Sequence, residues 1–309
     1  MEVKTKRYPI KAILSFLLVL FLMPLGHAAM ILMEKFLSAS VLNLSAFLLG
    51  LVGIVITIIG IFAKGDTKQT LLGLIGGLLF WTGWVEFVLA YYARRFGTMA
   101  QLSDGSLMNY DQAVNIGADI ATKPEYLILP STFGFWSMFM LFYLFCIPSG
   151  CNFINWCQDK LFGKNKRKIV AKPIVRHTAL VTFMEFNMII WTCYLLLMFL
   201  YDDHFVGERS WFTMFVGVAC FVGSIFIFMK QLKISSWGAN IRMAITTVII
   251  FWTPVEILGR LNFFQEIWVN PTEYIPQMIA ILVSFIVVIA IVVFNAYFNN
   301  KKTLNESNK

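Results

Sequence analysis

Charge is scarce in this chain. Asp, Glu, Lys and Arg make up 14% of its 309 residues, against about 25% in a soluble domain. Histidine occurs three times and cysteine five times. Neither is spaced for a metal. No H-x-x-H or E-x-x-H pair is present, and Cys146, Cys151 and Cys157 read C-x4-C-x5-C, not C-x2-C. No metal site and no cofactor is therefore expected. The five cysteines, Cys193 and Cys220 included, are read as small apolar packing residues. P-loop, G-x-G-x-x-G, C-x-x-C, G-x-S-x-G and H-E-x-x-H patterns are all missing. Their absence argues against an ATPase, a nucleotide-dependent redox enzyme and a zinc protease. Nothing in the chain suggests binding to nucleic acid.

Apolar side chains are abundant. They account for 59% of the residues, and the mean hydropathy is +0.73. A soluble protein this apolar could not cover its surface, so the excess belongs against lipid. A spanning helix needs roughly 20 apolar residues. Eight runs qualify: 12–33, 41–63, 70–93, 127–147, 178–201, 211–229, 243–258 and 275–298. The expected fold is an all-α membrane protein of eight transmembrane helices. The seventh run is short, and a snorkelling Arg242 lets its helix begin near Ala239.

The formal net charge is +8, and its placement is informative. With the N-terminus in the cytoplasm, segments 1–11, 64–69, 150–177, 230–242 and 298–309 lie inside. They hold 19 of the 25 basic residues. The asymmetry alternates along the chain as the positive-inside rule requires. Both termini are thus expected in the cytoplasm, and the cell inner membrane is the expected location. Residues 1–28 also resemble a signal peptide ending at Gly26-His27-Ala28. The apolar run resumes through Ala28–Met33, longer than a usual signal core. Cleavage would leave seven helices.

The two halves resemble each other. Phe80-Trp81-Thr82-Gly83-Trp84-Val85-Glu86 matches Phe251-Trp252-Thr253-Pro254-Val255-Glu256 with a gap of one residue. Arg94 and Arg95 follow the first copy and Arg260 the second. Pro124-Glu125-Tyr126 and Pro271-Thr272-Glu273-Tyr274 then open the next helix in each half. Two tandem four-helix units in parallel orientation are expected, covering 1–150 and 178–309. A basic cytoplasmic linker, 151–177, joins them. Its first part, to Phe162, can form an interfacial helix, and Lys164, Lys166, Arg167 and Lys168 follow. The outer connection 94–126 is the longest, and it shows no apolar period.

Three carboxylates fall inside predicted spans: Glu86, Glu185 and Glu256. A charge at mid-bilayer costs at least about 2.5 kcal/mol, so it faces the bundle or a cavity and is a candidate functional residue. Glu86 lies about 10 Å below the outer end of its helix. Trp81 and Thr82, like Trp252 and Thr253, stand about one turn before their glutamates and can satisfy them. A polar, aromatic-lined spot is expected in each unit. Arg94 and Arg260 are close enough in sequence to influence these carboxylates. Pro254 removes a backbone donor two residues before Glu256. The histidines are read as interfacial or packing residues.

These residues form the candidate substrate or proton site, with no catalytic assignment. The leading expectation is a secondary transporter or exporter of a small molecule. The second is a non-catalytic membrane subunit of a larger complex. The third is an enzyme acting on a lipid or isoprenoid. The lipid bilayer is the expected surrounding, with a membrane protein partner or a second copy as the protein contact.

Overall fold

The computed structural model describes residues 7–118, 120–145, 152–162, 177–202 and 204–307. The described chain is mostly helical. Helices α1 (Pro9–Phe36), α2 (Ala39–Phe62) and α3 (Asp66–Phe80) come first. A π-helical turn, Trp81–Glu86, continues α3 without a break into α4 (Phe87–Arg95). Then follow β1 (Ala100–Leu102), β2 (Leu107–Met108), α5 (Tyr110–Asn115), β3 (Ile120–Thr122) and α6 (Pro124–Ile128). A 3-10 turn, Leu129–Thr132, leads to α7 (Phe133–Phe145), and α8 spans Asn152–Phe162. The remainder is α9 (Thr178–Tyr201), α10 (Trp211–Gln231), α11 (Trp237–Arg260) and α12 (Ile275–Ser307).

Seven helical rods among the described residues are long and apolar enough to cross a membrane: α1, α2, α3 through α4, α9, α10, α11 and α12. A helix satisfies its backbone internally, which is what hydrocarbon demands of a spanning segment. The chain is therefore a polytopic membrane protein. The expected span 127–147 is not among the seven. Pro124 and Pro130 each sit in the first turn of a new segment and divide this stretch into α6, the 3-10 turn and the short α7. Residues 146 and 147 lie outside the described chain, as do the basic cluster of Lys164, Lys166, Arg167 and Lys168 and the cysteines Cys146 and Cys151.

Local detail refines the sequence reading. The seventh helix, expected to begin near Ala239, starts at Trp237, capped by Ser236, whose Oγ accepts from the Ala239 N–H. Arg242 does not merely snorkel: its Nη1 lies 2.9 Å from Asp66 Oδ1 and donates to Thr70 Oγ1 at 2.6 Å. Pro254 does not interrupt α11, which runs through it as one helix. Neighbouring groups in a packed membrane helix tolerate one lost backbone bond. Nor is the connection 94–126 irregular. It forms a small antiparallel sheet of order β2-β1-β3, with Ala100 opposite Met108 and Gln101 opposite Thr122. Strands of two or three residues are too short to show a period of two, so the sheet left no trace in the hydropathy pattern.

Packing is governed by small residues. α2 lies on α3, where a Cβ on Gly53 would come 2.6 Å from the Gly76 carbonyl oxygen. α10 lies on α11. α1 lies mainly against α11 and α12, while α9 lies against α3 and α2. The central core joins Leu18 and Leu22 of α1, Phe186 and Ile189 of α9, and Ile245 and Val248 of α11. Close approach lets dispersion and interhelical hydrogen bonds hold a bundle that gains little from excluding water. Gln231 Nε2 illustrates this, donating to the Ala12 carbonyl at 3.0 Å and to Asn240 Oδ1 at 2.9 Å.

Candidate functional site

The two glutamates expected in separate spots share one cavity. Glu86 ends the π turn after α3, and Glu256 lies in α11. Both line a void of about 20 Å³, room for about one water. α1 contributes Met23, Gly26 and His27 to its wall, and α9 contributes Phe186, Ile190 and Tyr194. Trp81 and Thr82 enter from the π turn and Trp252 from α11. Trp268, from the connection after α11, also lines the void and lies tilted against Trp252, with ring centroids 4.8 Å apart.

The π turn explains how Trp81 and Glu86 reach one face although they are five residues apart. A π turn closes between i and i+5, an α turn between i and i+4. In α11 the same pair is four apart, and the Trp252 indole N–H donates to Glu256 Oε1 at 2.6 Å. Glu86 has a different partner. Its Oε1 lies 3.5 Å from His27 Nδ1, and both side chains are largely covered. A histidine and a carboxylate in contact can hold and pass a proton between them.

The other expected residues lie elsewhere. Thr82 lines the cavity. Thr253 points its hydroxyl back at the Ile249 carbonyl oxygen, 3.3 Å away. Glu185 is buried near Thr246, its Oε1 3.4 Å from that hydroxyl, and does not line the cavity. Arg94 pairs with Glu34. Arg260 Nε lies 2.9 Å from Glu208 Oε2, and the guanidinium also donates to Thr122 Oγ1 and stacks 4.2 Å over the Tyr201 ring. Arg94 thus joins α4 to α1, and Arg260 ties β3 and the connection before α10 to α11.

His27, Tyr194 and Trp268 were not among the expected site residues. His27 carried a usable signal, as the one histidine well inside a predicted span, where any ionisable side chain is a candidate. Tyr194 and Trp268 carried none, since aromatic residues are common throughout this chain.

A second void of about 10 Å³ adjoins Glu86 on its far side and is also bordered by Glu125 and Tyr126. Glu125 opens α6. Burial pushes its carboxyl above the usual range, against the pull of Lys123. Burial would lower Lys123, but Glu125, Tyr110, Glu34 and Glu86 outweigh it, and the net shift is upward. The surrounding acids thus favour the charged form of Lys123. Glu266, two residues before Trp268, is pushed up to about 7 by burial and then by repulsion from Glu256, against Arg260 and Lys123.

A much larger apolar groove, about 560 Å³, lies beside the polar void. It runs between α1, α2, α3 and α12, and Ile279 and Leu282 of α12 form part of its wall. Gly26, Leu78 and Thr82 border both spaces. Among the described residues, no cluster of three His, Cys, Asp or Glu side chains is placed to hold a metal ion. No family model, curated protein or solved structure matches the chain.

Proposed function

We propose that this chain is a secondary transporter or exporter of a small molecule. The carrying observation is the meeting of Glu86 and Glu256, one from each half, at a single small cavity with His27 beside Glu86. Substrate and coupling-ion sites of repeat-built transporters lie at the interface between their repeats. On this reading Glu86 and His27 exchange the proton, Glu256 and the indoles of Trp81 and Trp252 hold the substrate, and Thr82 stands at the entrance. Thr253, Arg94, Arg260 and Glu185 support the architecture.

The repeat underlies this reading. α2 packs on α3 as α10 packs on α11, and α1 packs on the second half as α9 packs on the first. The one-residue gap between the F-W-T copies falls where the π turn takes up the extra residue. Counting α6 and α7 as the fourth membrane element of the first half gives eight spans in two parallel units, 1–150 and 178–309, with 151–177 as linker. Both termini are then cytoplasmic, in a bacterial inner membrane.

The test is proton movement in proteoliposomes carrying a trapped pH-sensitive dye. Under an imposed pH gradient, wild type should move protons when a panel of small molecules is added. Glu86→Gln and Glu256→Gln should each reduce the signal by about tenfold or more, the loss of one charge-assisted contact. Unchanged proton flux in both variants would sink the proposal.

A second reading is an enzyme acting on a membrane lipid or isoprenoid, favoured by the apolar groove beside the His27–Glu86 pair. It predicts chemical turnover of a lipid by the purified protein. A third is a subunit that docks a membrane partner on α10 or α12, whose membrane windows are only 17% and 11% buried.

A further inference from the structure

We propose that the molecule handled at this site is a lipophilic primary amine, which enters sideways from the bilayer and lays its apolar chain in the groove between α1 and α12. The inference deepens the transport reading and rests on its site.

Three observations define the occupant. The groove and the polar void share a wall of Gly26, Leu78 and Thr82, so one molecule with an apolar body and a polar end reaches both once the Leu78 side chain turns aside. At about 560 Å³ the groove falls within the range of about 300–1,000 Å³ typical of ligand clefts. Its wall is formed by membrane-crossing helices, and Ile279 and Leu282 in that wall are exposed. The bilayer is therefore its source of ligand.

Charge selects the polar end. The void is lined by Glu86 and Glu256 and by no Lys or Arg. A carboxylate or phosphate head would meet two acids. Lys123 does not line the void, although its charge reaches Glu86 and also His27, the one basic side chain in the lining. An ammonium meets two acids among the aromatic side chains of Trp81, Tyr194, Trp252 and Trp268. Aromatic rings beside a carboxylate are a recognised setting for cations. Size narrows the choice further. A void for about one water admits an –NH3+ group and not a trimethylammonium. Exchange of a proton for an ammonium at one carboxylate also leaves the buried charge unchanged, which avoids the cost of an unpaired ion.

The shared wall is tightly packed at Gly26. A Cβ there would come 2.9 Å from Leu78 Cδ1 and 3.9 Å from Thr82 Oγ1. A larger side chain at Gly26 would fix Leu78 in place and keep groove and void apart.

The experiment is saturation binding of tritiated dodecylamine to the full chain in nanodiscs of zwitterionic lipid, with empty nanodiscs subtracted. Unlabelled dodecanol and dodecanoate serve as competitors with the same chain. Wild type should bind the amine saturably, with dodecanol about tenfold weaker and dodecanoate without effect. Glu86→Gln, Glu256→Gln and Gly26→Leu should each weaken binding by about tenfold or more. Ile279→Trp, which fills the groove from its exposed side, should do the same and covers the case in which Gly26→Leu does not fold. Equal competition by all three chains, or undiminished binding in folded Ile279→Trp, would overturn the proposal. Amine binding without proton-coupled flux leaves the cargo class standing and removes the transport reading. Glu86-dependent proton flux without amine binding does the reverse.

Discussion

Glu266 sets a pH dependence at the level of a single side chain. Its carboxyl is raised to about 7 by burial first and then by the negative field of Glu256, despite Arg260 and Lys123. The folded protein therefore holds this proton more tightly than the unfolded chain, whose glutamate titrates near 4.5. The stabilising contribution is complete below about pH 4.5 and falls as pH rises to about 7, above which it is gone. Thermal unfolding followed across this window should show declining stability for wild type and a flatter profile for Glu266→Gln. A wild-type slope that survives the substitution would assign the pH dependence to other groups. Lys123, in turn, draws the Glu125 carboxyl down against burial, while Glu125 helps raise Lys123.

At the scale of elements, the π turn is the feature with the sharpest consequence. It accommodates one residue more than an α-helix would between Trp81 and Glu86, while keeping both at the cavity. Removing one residue within the turn, such as Trp84, should relax it to α-helix and keep both faces aligned, as they are in α11. Removing Ile75 from α3 instead should rotate the residues on one side of the deletion by about 100° relative to those on the other. The Trp84 deletion should retain the higher melting temperature and the higher yield of folded protein. Comparable loss in both deletions would show that the turn has no such tolerance. The seven long rods were legible in the sequence because hydropathy over 20 or so residues averages out local detail. The break of 127–147 at Pro130 was less visible, since an apolar run masks a change of helix type. The sheet in 94–126 was invisible, because strands of two or three residues present no pattern to read.

Across the whole molecule, the two halves are tied at both ends. At the end opposite the sheet, Asp66 opens α3 and accepts from Arg242 at 2.9 Å, from Ser236 at 3.3 Å and from Thr178 at 3.5 Å. One carboxylate thus joins α3, α9 and α11. Asp66→Asn and Arg242→Gln should each destabilise by on the order of 1 kcal/mol, since Asp66 is partly exposed. Their double-mutant cycle should give a coupling of about 0.5 kcal/mol or more, measured by denaturant unfolding. Additive effects would mean that the pair does not join the halves. Glu86, Glu256, Trp81, Trp252 and Thr82 were legible as candidates from their position inside spans and from the repeated F-W-T. Their convergence was not, because which helix faces meet depends on how α1 and α9 cross to the opposite half. His27 and Glu34 stand seven residues apart in the sequence, on a similar helix face. In the fold Glu34 turns to Arg94 and His27 to Glu86.

The groove between α1 and α12 faces hydrocarbon, so the concentration that governs its occupancy is a mole fraction in the membrane and not a molarity in water. A ligand that partitions strongly into lipid will look potent in buffer, however modest its contacts with Gly26, Ile279 and Leu282. Apparent affinities will therefore drift with the lipid-to-protein ratio, and ligands of differing chain length can be ranked only after their partition coefficients are divided out.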